Sequence, residues 1–345
     1  HLGKQQAFIT ASIGIATFPA DGNQVVELLR NADMAMYQAK AKGKNNWRFY
    51  DDTMNVAAVE RMLLENDLHQ ALQRQEFELH YQLQFDSTSM DPIGAEALLR
   101  WNHPTRGILY PNTFVPILED IGLIAATGQW VLEQACHQLA KWQQDDQPVR
   151  QISVNVSVRQ FLGPDFVGSI RKVLEETALP PASIELELTE SILIDDVEHV
   201  LSLLTELKGL GLKLSIDDFG TGYSSLNYLK QFPVDALKID ASFVKNIPAT
   251  KGDTQIVLTI ISMAHILGMD VIAEGVENCD QLTFLVENGC EKIQGFLLSQ
   301  PVSATDLEER KFGLIEVSCP VDLPAQTGSS SIPRTLQNSS ANRDT

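Results

Sequence analysis

Between residues 77 and 296 the chain alternates two patterns. Short stretches have apolar residues at every second position, and longer ones have them every three or four. The first is the period of a strand with one face buried, the second that of an amphipathic helix. FELHYQLQF (77–85), IGAEALLRW (93–101), QISVNVS (151–157), SIELELTE (183–190), LKLSIDD (212–218), ALKID (236–240), MDVIAEG (269–275) and KIQGF (292–296) read as strands. From the second onward they are separated by helical stretches such as GQWVLEQACHQLAKWQQ (128–144), VEHVLSLLTELKGL (197–210) and TQIVLTIISMAHILG (254–268). Eight strands with helices between them, over roughly 250 residues, predict a (β/α)8 TIM-type barrel. Only DSTSMDP (86–92) joins the first two strands, too few residues for a helical crossover, so the first strand is predicted to run antiparallel to the second.

The period of two also assigns faces. Ile152, Val154 and Val156, Ile184, Leu186 and Leu188, Leu212, Leu214 and Ile216, and Leu237 and Ile239 are expected to point outward, toward the helices. The opposite faces are polar: His80, Gln82 and Gln84; Glu96 and Arg100; Ser153, Asn155 and Ser157; Glu185 and Glu187; Lys213, Ser215 and Asp217; Lys238 and Asp240; Glu274; Lys292 and Gln294. An ordinary barrel fills its interior with branched apolar side chains. Glu185 and Lys213 read as an interior ion pair deeper in the barrel. Glu96, Asn155, Glu187, Asp217 with Asp218, Lys238, Glu274 and Gln294 gather at the C-terminal strand ends, the catalytic face of barrel enzymes. Taken singly, Glu187 or Glu274 reads as a solvated strand end and Asn155 as a turn residue. The same placement on seven strands does not.

The 345 residues carry a formal net charge of −19, with 44% hydrophobic residues, enough for a sizeable core. That charge argues against a nucleic-acid polymer as partner, because phosphate backbones require a basic face. A small phosphate ligand held through metal ions stays open. The four cysteines lack a C-x-x-C pair or His-rich metal spacing and read as reduced structural thiols of a cytoplasmic protein. The longest apolar segment, IVLTIISMAHILGMDVIA (256–273), contains Thr, Ser, His and Asp and reads as a buried helix and strand rather than a membrane span. Membrane contact is expected only through segments upstream of the chain. Before the barrel, FITASIGIATF (8–18) and NWRFY (46–50) read as strands, and VVELLRNADMAMYQAKAKG (25–43) as a helix stopping at Gly43. Residues 57–74 read as a connecting helix. The expected organisation is an N-terminal piece (1–51), a linker helix (52–74), the barrel (75–312) and a disordered Ser- and Pro-rich tail (313–345).

Adjacent acids at Asp217 and Asp218 pose an electrostatic problem. At about 4 Å and an effective dielectric near 20 their repulsion is about 4 kcal/mol. Carboxylate and amide oxygens without His or Cys favour hard cations such as Mg2+ or Mn2+, which would keep clustered acids ionised. Two such ions about 3.5–4 Å apart activate water and clamp a phosphodiester. In this reading Lys238 neutralises charge on the attacked phosphate or orients the water, and Glu274 acts as general base.

EALLRW (96–101), NVS (155–157), ELTES (187–191), DDFGTGYSSL (217–226), LKID (237–240), AEGVE (273–277) and QGF (294–296), in that order, resemble the EAL-domain phosphodiesterases of bacteria. The resemblance spans about residues 60–312. It implies hydrolysis of cyclic di-GMP to linear 5'-pGpG by an often dimeric barrel using Mg2+ or Mn2+. The alternative it leaves is a catalytically silent cyclic di-GMP receptor signalling through dimer contacts. It makes Glu96, Asn155, Glu187 and Asp217 ligands of one metal, and Asp217 and Asp218 ligands of the second. It assigns Lys238 and Glu274 to the nucleophilic water, and Gln82, Leu99, Arg100, Gln294 and Glu277 to substrate. Glu190 would anchor the loop 218–225, whose simpler reading is a helix cap from Ser224 or Ser225. Leu83 departs from the proline usual after the first-strand Tyr-Gln. Residues 1–50, through ASIGIATFPADG (11–22) and NADMAMYQAKAKGKNNW (31–47), resemble the C-terminal part of a GGDEF domain. The GG[DE]EF signature is absent here, so the resemblance carries no cyclase activity to this chain.

Overall fold

The computed structural model describes residues 10–41, 45–194, 196–222 and 226–309. Eight barrel strands follow the expected alternation: β1 (Phe77–Asp86), β2 (Pro92–His103), β3 (Gln151–Val156), β4 (Ile184–Thr189), β5 (Lys213–Phe219), β6 (Ala236–Ile239), β7 (Asp270–Ala273) and β8 (Lys292–Ile293). Neighbouring strands from β2 to β8 pair in parallel. β1 is antiparallel to both β2 and β8 and closes the barrel, with Gln82 opposite Glu96 and Phe85 opposite Ile293. The short β1–β2 connection permits no other direction. Because β1 runs backwards, its N-terminal half, not its C-terminal end, borders the catalytic face.

The expected outward residues of β3 to β6 are all buried, in one apolar cluster that also takes Val131, Leu132 and Leu139 from helix Ile124–Gln144 and Val200, Leu204 and Leu207 from helix Val197–Leu210. Each such Leu, Ile or Val stabilises the barrel by about 1.5–3 kcal/mol relative to exposure. The interior is polar, as the alternation implied. The expected direct Glu185–Lys213 pair is not formed. Although the two residues are in register, Gln151 stands between them, donating to Glu185 and accepting from the Lys213 ammonium at 3.0 Å. The amide reaches both partners at once across β3, β4 and β5.

β8 ends earlier than KIQGF would allow. A Cβ on Gly295 would lie 2.2 Å from the Val276 carbonyl oxygen, so the backbone turns tightly there instead of extending. The N-terminal piece is a parallel pair of strands, Ile13–Ile15 with Trp47–Phe49, around helix Val25–Ala41. The linker helix spans Thr53–Ala71, beginning four residues before the predicted start. Its Leu64, Leu68 and Ala71 pack with Phe77, Trp101 and Phe114 in a second apolar cluster at the barrel's side. Arg61 Nη2 meets Asp120 Oδ2 at 2.8 Å across the same contact. Cys136 and Cys290 are free and buried, as structural thiols should be, but Cys279 is disulfide-bonded, which corrects the all-reduced expectation. Among the described residues no helix is long and apolar enough to cross a membrane. Gly43, the Ser224 or Ser225 cap and the tail lie outside the described residues.

Candidate active site

The acids at 217 and 218 meet the mouth through a β-bulge. β5 pairs with β6 at Ile216–Leu237 and resumes at Phe219–Ile239, so Asp217 and Asp218 together oppose the single residue Lys238. The extra residue is accommodated by a left-handed backbone at Asp218 (φ 53°), a conformation Asp tolerates better than most side chains. Asp217 follows the strand period into the barrel and is only 8% exposed. Asp218 turns out to the rim, and its amide donates to Asp217 Oδ1 at 2.9 Å.

Lys238 is fully buried and lies among four carboxylates. Its Nζ is 2.5 Å from Glu187 Oε2, 2.5 Å from Glu274 Oε1, 3.3 Å from Asp217 Oδ1 and 3.6 Å from Glu96 Oε2. Glu96 is tied to its surroundings by Asn155 Nδ2 at 2.6 Å and Gln294 Nε2 at 2.6 Å. Gln294 also donates to Gln82 Oε1 at 3.1 Å, and Gln82 donates to the Ser299 carbonyl at 2.9 Å. Six strands, β1 to β6, and the residues just after β7 and β8 thus feed one layer of hydrogen bonds and ion pairs.

One ammonium cannot balance five acids. Burial, then the charges of Glu96, Asp217 and Glu185, push Glu187 well above the ordinary carboxylate range despite Lys238. Burial, reinforced by Asp217 and Glu96, pushes Glu274 up to about 8. Burial, Asp217 and Asp240 push Asp218 up to about 6. Glu96 goes the other way. Lys238, Gln294 and Asn155 outweigh its burial and hold it below the usual range. Lys238 is held well above its ordinary value, the carboxylates overcoming the burial that opposes its charge.

A pH dependence follows. The folded Glu274 keeps its proton up to about 8, whereas the unfolded chain releases it near the ordinary 4.5. Between those values the native state binds more protons, so the metal-free fold loses stability as pH rises. Thermal melting in EDTA is expected to give a lower Tm at pH 8.5 than at pH 6. An equal or higher Tm at pH 8.5 would contradict the assignment.

Glu190, also buried, follows β4. Its Oε2 accepts the amides of Gly220 at 2.9 Å and Gly222 at 3.2 Å. A Cβ on Gly222 would come 2.8 Å from Glu190 Oε1, so the loop after the bulge rests directly on this carboxylate. The mouth itself is a cavity of about 340 Å3 lined by Gln82, Glu96, Asp217, Glu274, Glu277 and Gln294 among the expected residues. Leu98 and Phe296 line it too, neither singled out from the sequence. Leu99 is not brought there and packs between the two apolar clusters. The period of two that turns Glu96 and Arg100 inward would have selected Leu98 over Leu99. Arg100 is buried at the rim, its guanidinium 5.1 Å over the Tyr110 ring.

The donor set fits a hard divalent cation. Every candidate ligand atom is oxygen, Glu187 Oε1 is buried without a hydrogen-bond partner, and one oxygen each from Asp217, Asp218 and Glu274 lie within 4.8 Å of one another.

Fold and site together define a (β/α)8 barrel with clustered acids at the C-terminal ends of its strands. The family model "EAL domain" matches residues 65–301, and this chain belongs to that family. "Diguanylate cyclase, GGDEF domain" matches residues 1–46. The bifunctional diguanylate cyclase/cyclic di-GMP phosphodiesterase MucR of Pseudomonas aeruginosa is 42% identical over 307 residues, covering 89% of this chain and 45% of that protein. The cyclic di-GMP phosphodiesterase NbdA of the same organism is 42% identical over 301 residues, covering 87% and 38%. The chain therefore spans less than half the length of these relatives. A solved structure, the PaMucR phosphodiesterase in complex with c-di-GMP, superposes with a TM-score of 0.69 at 42% identity, covering 71% of this chain and 99% of that one.

Proposed function

We propose that this chain hydrolyses cyclic di-GMP to linear 5'-pGpG in a divalent-metal-dependent reaction. The observation that carries the reading is the four carboxylates around Lys238, with Asp218 beside them at the rim, at the C-terminal face of the barrel. Glu96, Asn155, Glu187 and Asp217 would hold one Mg2+ or Mn2+, and Asp217 with Asp218 the second. Such ions polarise the phosphodiester and make water a better nucleophile at neutral pH. Lys238 Nζ sets charge against the phosphate oxygens. Glu274 takes the proton of the attacking water at a carboxylate oxygen, a role suited to a carboxyl pushed up to about 8. Glu190 holds the loop that carries the rim acid Asp218 in place. Gln82, Arg100, Gln294 and Glu277 contact the substrate or the groups that do.

In this proposal residues 1–51 are a GGDEF remnant, 52–74 the linker and 75–312 the phosphodiesterase unit, working in the cytoplasm as a homodimer. Helix Lys251–Leu267 leaves Ile256 and Ile266 exposed, two apolar side chains available to a pairing surface. A second reading, the silent receptor, is favoured by one observation: the Lys238 ammonium itself contacts three of the four expected ligands of the first ion. Incubation with cyclic di-GMP and Mg2+ or Mn2+, with products resolved by chromatography, separates the two. Accumulation of pGpG is expected. Bound but uncleaved cyclic di-GMP would favour the receptor.

A further inference from the structure

Arg100 is only 5% exposed, yet its cation stands without a counter-ion. Nη1 donates to the Leu99 carbonyl at 2.8 Å, and Nε is buried with no hydrogen-bond partner. Among the described residues the guanidinium forms no ion pair, in a chain of net charge −19. A carboxylate is at hand. Glu78 on β1 is the register partner of Arg100 on β2, and side chains so paired stand close enough to meet. Glu78 instead contacts His80 Nε2 at 3.2 Å. The guanidinium lies over the Tyr110 ring, 5.1 Å from its centroid. That ring is placed by its backbone. Strand Gly107–Leu109 folds back on β2 with Leu109 opposite Trp101, which brings Tyr110 beside Arg100. Pro111 opens the next helix, and a residue before proline is confined to the extended region that Tyr110 occupies (φ −96°, ψ 155°). The face of an aromatic ring attracts a cation without neutralising it. A buried guanidinium that keeps its charge and a free Nε–H is a seat for an anionic oxygen.

We propose that Tyr110 is a positioning residue that holds Arg100 away from Glu78 and open to a phosphate oxygen of the substrate, an inference that rests on the cyclic di-GMP reading above. Arg100 stands outside the acid-lined cavity, so the oxygen it meets belongs to the phosphate that is not cleaved. That contact is the same in the ground state and the transition state, so its loss acts on KM and leaves kcat in place. Without the ring the guanidinium turns to Glu78, and only the fraction of molecules with that pair open binds substrate.

The test compares Tyr110→Ala, Tyr110→Phe, Glu78→Gln and the double variant Glu78→Gln with Tyr110→Ala, reading KM and kcat for cyclic di-GMP together with equilibrium binding and circular dichroism. Tyr110→Ala is expected to raise KM and Kd about tenfold, equivalent to about 1.4 kcal/mol, with kcat within about twofold. Tyr110→Phe keeps the ring and is expected to recover most of that loss. Glu78→Gln removes the competing charge, so Tyr110→Ala on that background is expected to cost less than about threefold relative to Glu78→Gln alone. A purely structural role for the ring gives the same loss on both backgrounds. Unchanged KM in Tyr110→Ala, or an equal loss with and without the Glu78 charge, would overturn the inference while leaving the phosphodiesterase reading intact. A parent chain that neither binds nor cleaves cyclic di-GMP would remove both.

Discussion

Asp217→Asn is expected to lower hydrolysis of cyclic di-GMP by about 10³-fold while leaving the chain folded. Asp217 is the one side chain assigned to both metal positions. It also lies 3.3 Å from Lys238 and accepts the Asp218 amide at 2.9 Å. The amide of Asn keeps the volume and one acceptor but not the charge. Loss of that charge removes the ionic ligand assigned to both positions. Stability should move little or improve in EDTA, because Asp217 raises the proton affinity of Glu187, Asp218 and Glu274 by repulsion. Initial rates with Mn2+ and melting in EDTA check the two halves. A variant that cleaves at the parent rate would sink the shared-ligand assignment.

Lys238→Met is the second large effect, and it acts on both stability and activity. Lys238 is 0% exposed and is the cation that offsets Glu96, Glu187, Asp217 and Glu274. Removing one side of a buried ionic network leaves uncompensated charge, typically destabilising by about 3–5 kcal/mol. Met fills most of the lysine's volume, so packing loss adds little. In EDTA the variant is expected to melt roughly 10 °C below the parent, from about 2–4 °C per kcal/mol for a domain of 150–250 residues. Millimolar Mg2+ or Mn2+ should recover much of that difference by restoring positive charge to the same acids. Activity should fall about 10²–10³-fold even with metal present, since the ammonium assigned to offset phosphate charge is gone. Melting unaffected by the substitution would mean that the acids do not depend on Lys238.

The barrel was legible because its signal is repeated. Each strand carries the same alternation, and the β1–β2 connection is too short to permit a parallel pair. The candidate site was legible for the same reason, as polar residues recur on the inward faces, where an ordinary barrel places branched apolar ones. What escaped depends on contacts across the fold. The bulge at Asp217 and Asp218 exists because β5 and β6 fall out of register there, and nothing local to DDFG declares a left-handed aspartate. Gln151 separates Glu185 from Lys213 because three strands bring it to both, while a pairwise reading of opposite charges sees only the two. Phe296 sits in a motif that reads as a strand end. Its exposure at the mouth follows from the close approach of Gly295 to Val276, which has no sequence period.

The account turns on clustered acids being a divalent-metal centre, and the most direct measurement is Mn2+ binding followed by electron paramagnetic resonance, in the parent and in Asp217→Asn. The parent is expected to bind about two ions per chain, saturably, with at least one lost in the variant. No saturable Mn2+ binding in the parent, or the same stoichiometry and affinity in Asp217→Asn, would contradict it.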